Sequence, residues 1–145
     1  MSDRAAEAGT SASVERVDIA GEDDIVRARQ RARELARDLG FGPVDQSRIA
    51  TAVSELARNV VRYATDRRGQ ALLRSVDAAG RLGLEIVVAD NGPGIADIEE
   101  AMQAGFTSGR GLGMGLPGAR RLMDEMKIES GVGRGTVITV RKWRR

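Results

Sequence analysis

A chain of 145 residues fits a single domain, and at that size about two thirds of the unfolded surface can be buried. Cysteine and histidine are both absent, which excludes disulfide scaffolds, thiol nucleophiles, thiolate or imidazole zinc sites, Ser-His-Asp triads and phosphohistidine chemistry on this chain. With 23 Lys and Arg against 21 Asp and Glu, for a net charge of +2, the surface is mixed rather than a basic stripe, and nucleic acid is not an expected partner.

Hydrophobic residues make up 41% of the chain and aromatics only 3%, so the core must be built from Ala, Val, Leu, Ile and Met. No stretch approaches the roughly 18 apolar residues that cross a bilayer, and residues 1–13 lack a basic region followed by an apolar one. A flexible tail over 1–13, a single domain over 14–145, no membrane partner and a cytoplasmic location are the expectations.

The ordered part begins with a strand over Val14–Ala20, with Val17 and Ile19 on one face. Asp23 or Asp24 caps a helix in which Ile25, Ala28, Ala32, Leu35 and Leu39 follow helical spacing, and Gly40 closes it. After Gly42-Pro43, Asp45 or Ser47 caps a second helix with the apolar stripe Ile49, Val53, Leu56, Val60 and Ala64, ending at Arg67-Arg68-Gly69. Strands over Gln70–Val76 and Leu82–Asp90 are joined through Asp77-Ala78-Ala79-Gly80 as an antiparallel hairpin, the second being central. Asp97 opens a short helix to about Ala104, and Gly105–Gly115, with five glycines, is a mobile loop. Pro117 lies in the first turn of a third helix carrying Ala119, Leu122, Met123 and Met126. Closing strands over Lys127–Ser130 and Thr136–Lys142 flank a glycine-rich turn, and Arg141, Lys142, Arg144 and Arg145 around Trp143 could dock an acidic partner but read more simply as a solvated basic terminus. This order predicts a two-layer α/β sandwich, a mixed, mainly antiparallel sheet covered on one face by helices.

Three groups of residues carry chemistry. Glu55 and Asn59 stand one turn apart on the second helix, away from its apolar stripe. The carboxylate can serve as a general base and the amide oxygen can ligate Mg²⁺, although any amphipathic helix exposes such a pair to water. Asp90-Asn91-Gly92-Pro93-Gly94-Ile95 follows the central strand; its carboxylate can accept from an adenine amino group and Gly92 and Gly94 permit close backbone approach, but Asn-Gly and Pro-Gly also make plain turns. Gly109 to Leu116 then places Gly111, Leu112, Gly113, Met114, Gly115 and Leu116 before a helix N-terminus, where successive N–H groups can cradle phosphates. No Gly-Lys-Ser/Thr follows, so this is not a Walker loop, and the strand context of a dinucleotide fingerprint is missing.

In this order the three groups resemble the N, G1 and G2 boxes of the GHKL superfamily of ATP-binding proteins, and Gly135-Thr136 is similar to the family's final Gly-Thr pair. The resemblance spans about Val14 to Val140 and implies a Bergerat-type ATP-binding fold. Ala50 to Asn59, reading ATAVSELARN, and Gly113 to Glu129, reading GMGLPGARRLMDEMKIE, look like the anti-sigma and switch-kinase branch, and within it the serine/threonine kinase of the bacterial stressosome. That likeness implies ATP and Mg²⁺ as cofactors, a STAS-domain protein as substrate and a PP2C-type phosphatase as second partner. It further implies adenine on Asp90 and Thr136, the metal on Asn59, and Glu55 beside the γ-phosphate as base. Arg110 is the candidate for stabilising charge on that phosphate, or else a solvated loop residue. Anti-sigma factor kinases share every ATP-site box, so two readings stand: a kinase that modifies its partner, and an ATP-sensing switch that holds its partner with little catalysis. A chaperone or topoisomerase role is disfavoured, since no transducer domain accompanies the site.

Overall fold

The computed structural model describes residues 14–63, 68–92, 102, 115–131, 133 and 135–145. Its elements run β1 (Glu15–Ile19), α1 (Glu22–Asp38), α2 (Pro43–Tyr63), β2 (Gly69–Ala78), β3 (Arg81–Asp90), α3 (Gly115–Leu122), β4 (Glu125–Gly131) and β5 (Gly135–Trp143). The strands form one sheet in the order β1-β2-β3-β5-β4, and all four pairings are antiparallel. The expected mainly antiparallel sheet therefore contains no parallel pair among the described residues, and β3 is central as expected. Among them no helix is long and apolar enough to cross a membrane.

Alternation along the strands decides which face the helices cover. Val17 and Ile19 of β1, Ala71 and Leu73 of β2, Leu84, Ile86 and Val88 of β3, and Ile138 and Val140 of β5 are buried in the same core as the stripe Ile49, Val53, Leu56 and Val60 of α2. Ala28, Ala32 and Ala36 of α1 are wholly buried; such small side chains let α1 pack closely on α2. The long apolar stripe of α2 thus sits under α1 and α3 and over β3 and β1, with which it makes contact.

Several element ends differ from expectation for local reasons. Gly21 is the N-cap of α1, with no side-chain cap, and Asp24 lies inside the first turn, where its carboxylate accepts from the Ala20 N–H at 2.7 Å and pairs with Arg27. Asp23 and Asp24 therefore act on the positive end of the helix dipole rather than as caps. α2 begins at Pro43, ahead of Asp45 and Ser47, because a first helical position needs no N–H and the Gly42 carbonyl already accepts from the Gln46 N–H at 2.9 Å. Gly69 opens β2 rather than closing α2, and Met126 belongs to β4, α3 having ended at Leu122. The hairpin turn is Ala79-Gly80, with φ of 54° and 79°, the left-handed pair of a two-residue turn. The expected helix from Asp97 to Ala104, apart from Met102, and most of the Gly105–Gly115 loop, like residues 1–13 and 64–67, lie outside the described residues.

On the sheet face away from the helices, the register aligns Arg74, Glu85, Arg141 and Glu125 across four strands. Glu85 Oε1 accepts from Arg74 Nε and Oε2 from Arg141 Nε, each at 2.7 Å, and Glu85 is only 3% exposed. Burial alone would raise its pKa, but the two guanidinium groups outweigh it and hold the carboxyl below its ordinary value. A depressed folded-state pKa gives stability that is present above the unfolded value and lost as pH falls through the folded one. Glu85→Gln is expected to cost about 2 kcal/mol near about pH 7 and clearly less near about pH 3. Urea unfolding at the two pH values measures this, and an equal cost at both would remove the ion pairs from the account.

The basic C-terminus is solvated only in part: Arg144 and Arg145 are exposed, whereas Lys142 and Trp143 are buried. Trp143 is buried, its Nε1 donates to Glu125 Oε2 at 2.6 Å, and the Arg81 guanidinium stands 4.5 Å from its ring centroid. Only glycine fits opposite, since a Cβ at Gly83 would lie 2.6 Å from Trp143 Cε3. Lys142 is buried and donates to the Leu122 carbonyl at 2.9 Å, Arg144 to that of Leu39 at 3.0 Å, and Arg145 to Asp124 at 2.7 Å. These bonds tie β5 to the ends of α1 and α3.

Candidate functional site

Asp90, the last residue of β3, is paired with Gly69 on one side and Thr136 on the other. A Cβ at Gly135, whose φ is +81°, would lie 2.2 Å from the Asp90 carbonyl oxygen, and one at Gly69 would lie 2.4 Å from that of Ala89 and 2.9 Å from Val60 Cγ1. No side chain is tolerated at either position without moving the backbone that carries Asp90. The contact with Val60 also seats the late turns of α2 on this end of the sheet.

The Asp90 carboxylate is half-buried and accepts from two backbone donors, the Gly92 N–H at 2.7 Å and the Thr136 N–H. Burial raises its pKa, and the two N–H bonds offset this only in part. A desolvated carboxylate with acceptor capacity left over gains most from a donor brought by a ligand. Thr136 is buried, and its Oγ1 lies 2.9 Å from Ser130 Oγ in β4.

α2 supplies the other half. Glu55 and Asn59 are partly exposed, off the buried stripe of the helix. Glu55 Oε2 accepts from Arg58 Nη1 at 3.1 Å, which orients the carboxylate. Asn59 precedes Val60, the residue that touches Gly69, and has no side-chain hydrogen bond among the described residues. α3 packs against α2 through buried Leu116 and Ala119, while Gly115 at its start faces open space among the described residues. Of the expected site, Glu55, Asn59, Asp90, Gly92, Gly115, Leu116 and Thr136 are described, on α2, the β3 end, the α3 start and β5. Gly94, Ile95, Arg110, Gly111, Leu112, Gly113 and Met114 lie outside the described residues. Among the described ones no group of three or more carboxylates could hold a metal, so a cation at Asn59 would have to complete its shell with water and phosphate oxygens.

Sequence reasoning missed Gly69. Gly69 could have been found, because a two-residue turn at Ala79-Gly80 fixes the register and places Gly69 opposite Asp90.

Residues 20–142 match the family of histidine kinase-like ATPase domains. The chain is 52% identical over 122 residues to the serine/threonine-protein kinase RsbT of Bacillus subtilis (strain 168), covering 84% of this chain and 90% of that one. It is 34% identical over 99 residues to an anti-sigma F factor of Caldanaerobacter subterraneus subsp. tengcongensis, covering 66% and 68%. Among solved structures, the RsbU and RsbW domains of a Mycobacterium tuberculosis protein match with a TM-score of 0.59 and 23% identity, over 92% of this chain and 33% of that one. The mycobacterial sensor histidine kinase MprB matches at 0.56 and 22%, over 92% and 99%. At these identities the two structures share the fold.

Proposed function

We propose that this chain, which belongs to the family of histidine kinase-like ATPase domains, is an ATP-dependent serine/threonine protein kinase of a bacterial partner-switching stress pathway, working in the cytoplasm. The observation that carries the reading is the 52% identity to RsbT over nine tenths of that protein. In this reading the substrate is a STAS-domain protein and the second partner a PP2C-type phosphatase.

The site chemistry supports it. Asp90 and Thr136 present acceptors to the amino edge of adenine at the end of the central strand. Asn59 would hold Mg²⁺ through its amide oxygen, the remaining ligands being water and phosphate oxygens, and the metal would supply charge neutralisation on the phosphates. Glu55, oriented by Arg58, accepts the proton of the incoming Ser or Thr hydroxyl at a carboxylate oxygen. Gly111, Leu112, Gly113, Met114, Gly115 and Leu116 would cradle the phosphates with backbone N–H groups at the start of α3, and Arg110 would stabilise the γ-phosphate charge. Gly92, Gly94 and Ile95 would flank the base.

A second reading, an anti-sigma kinase or ATP-sensing switch that holds its partner with little catalysis, draws on the 34% identity to an anti-sigma F factor. Transfer of labelled phosphate from ATP to a STAS-domain protein decides between them: incorporation supports the kinase, and ATP-dependent binding without incorporation supports the switch. Asn59→Ala is expected to weaken Mg-ATP binding by at least about tenfold while the fold persists, because it removes a metal ligand and no core volume. Calorimetric titration with Mg-ATP checks this, and wild-type affinity in the variant would take Asn59 out of the metal site.

A further inference from the structure

We infer that the helix-free face of the sheet is a docking surface for a protein partner. A cavity beside β1 and β2 receives an acidic side chain of that partner, and the apolar side chains next to it lie on the sheet. The cavity has a volume of about 450 Å³, and its walls include Arg16 and Asp18 of β1, Gln70 of β2, Ala89 of β3, and Arg68 and Asn91 just outside the strands. Asp18, Gln70, Ala89 and Val137 form one row across the sheet. They alternate with the buried Ile19, Ala71, Val88 and Ile138, so the row faces away from the helices. Asp90 follows Ala89 in β3, and its carboxylate belongs to the other side of the sheet.

The charges on this face decide what the cavity can receive. Arg16 is paired with Asp18 at 2.7 Å, Arg74 and Arg141 with Glu85, and Lys127 with Glu129 at 3.5 Å, while Arg81 stands over the Trp143 ring. Arg68, exposed at the wall of the cavity, has no ion pair among the described residues. Its guanidinium is a planar fork of donors matched to a carboxylate, and the side-chain amides of Gln70 and Asn91 bring further donors to the same cavity. A cationic or neutral guest would leave that fork unanswered.

The surroundings decide between a small anion and a chain segment. Leu72 and Val87, paired in the next row, are partly exposed like Ala89 and Val137. These four make an apolar strip that runs from the cavity over the middle of the sheet and stops at the ion-paired row of Arg74, Glu85 and Arg141. A free anion would fill the cavity and leave the strip in water. A segment that carries a carboxylate between apolar side chains covers both.

The test is an NMR titration of the full isotope-labelled chain, without nucleotide, with the blocked tripeptide Val-Glu-Val. The amide signals of Gln70, Leu72, Val87 and Ala89 should move to saturation, and Val-Gln-Val should bind at least roughly fivefold more weakly. Arg68→Ala should weaken Val-Glu-Val by about the same factor and leave Val-Gln-Val unchanged, whereas Arg68→Glu should prefer Val-Lys-Val. Should Arg68→Glu disturb the fold, Arg68→Ala carries the comparison. Signals that stay still, or equal binding of the glutamate and glutamine peptides, would overturn the inference. Acetate or inorganic phosphate moving the same signals at concentrations as low as the peptide would make the cavity a seat for a small anion. Movement that grows with protein concentration in the absence of peptide would assign the face to a second copy of the chain. Either result overturns the partner assignment. Because nucleotide is absent throughout, none of these outcomes bears on the Asp90 seat.

Discussion

Asp90→Ala is expected to lower ATP affinity by about 10²-fold or more, to the edge of detection in an ordinary titration. The carboxylate is half-buried at the end of the central strand and already desolvated, so the binding energy of an adenine amino group is not spent on stripping water from it. Gly92 and Thr136 aim it by donating two backbone N–H groups, and the glycines at 69 and 135 leave the backbone that carries it undisturbed. An alanine keeps this scaffold and deletes only the acceptor. The two N–H groups lose their partner as well, which should cost about 1–2 kcal/mol of stability and leave the fold standing. Circular dichroism and thermal unfolding verify the fold, and calorimetry with ATP reads the loss. Wild type should also discriminate against GTP, whose guanine places an acceptor where adenine has a donor. Equal wild-type affinity for the two nucleotides would count against Asp90 as the base-reading group.

What the sequence disclosed, and what it did not, follows from the range of the interactions involved. The stripe Ile49, Val53, Leu56 and Val60 is a local pattern of helical period, and it found both the helix and the side on which Glu55 and Asn59 would lie. β3 was legible for the same reason, through the alternation of Leu84, Ile86 and Val88. The cap of α1 was not, because Asp24 turns back to the Ala20 N–H instead of capping. The C-terminus was misread because its charges are answered from far away in the chain: Arg144 by the carbonyl of Leu39, Arg141 by Glu85, Trp143 by Glu125. Nothing in RKWRR taken alone distinguishes a clasp from a solvated tail. Gly69 stood between these cases, since the Ala79-Gly80 turn already dictated its place opposite Asp90.

Glu55→Ala is expected to separate catalysis from binding. Glu55 is 17% exposed, and among the described residues its hydrogen bond is to Arg58 on the same helix, so its removal takes away no hydrogen bond between elements there. ATP affinity should therefore stay near the wild-type value. A base aligned on the incoming hydroxyl acts mainly in the transition state, and its loss should lower phosphoryl transfer by about 10²-fold or more. Glu55→Gln keeps an oxygen for Arg58 but cannot take a proton; it should be impaired like the alanine variant, which distinguishes a base from a residue that merely orients Arg58. Binding of the proposed STAS-domain substrate should survive, because that protein would contact the surface around the proposed pocket and Glu55 would lie within it. If phosphorylation is what releases the substrate, the variant should stay bound in Mg-ATP while wild type dissociates and becomes free for its second partner. The measurement is co-elution with the STAS-domain protein over time after ATP addition, alongside phosphate incorporation. Transfer at the wild-type rate by Glu55→Ala would take this residue out of the mechanism, whereas wild type that lets go of its partner without any transfer would favour the ATP-sensing switch over the kinase.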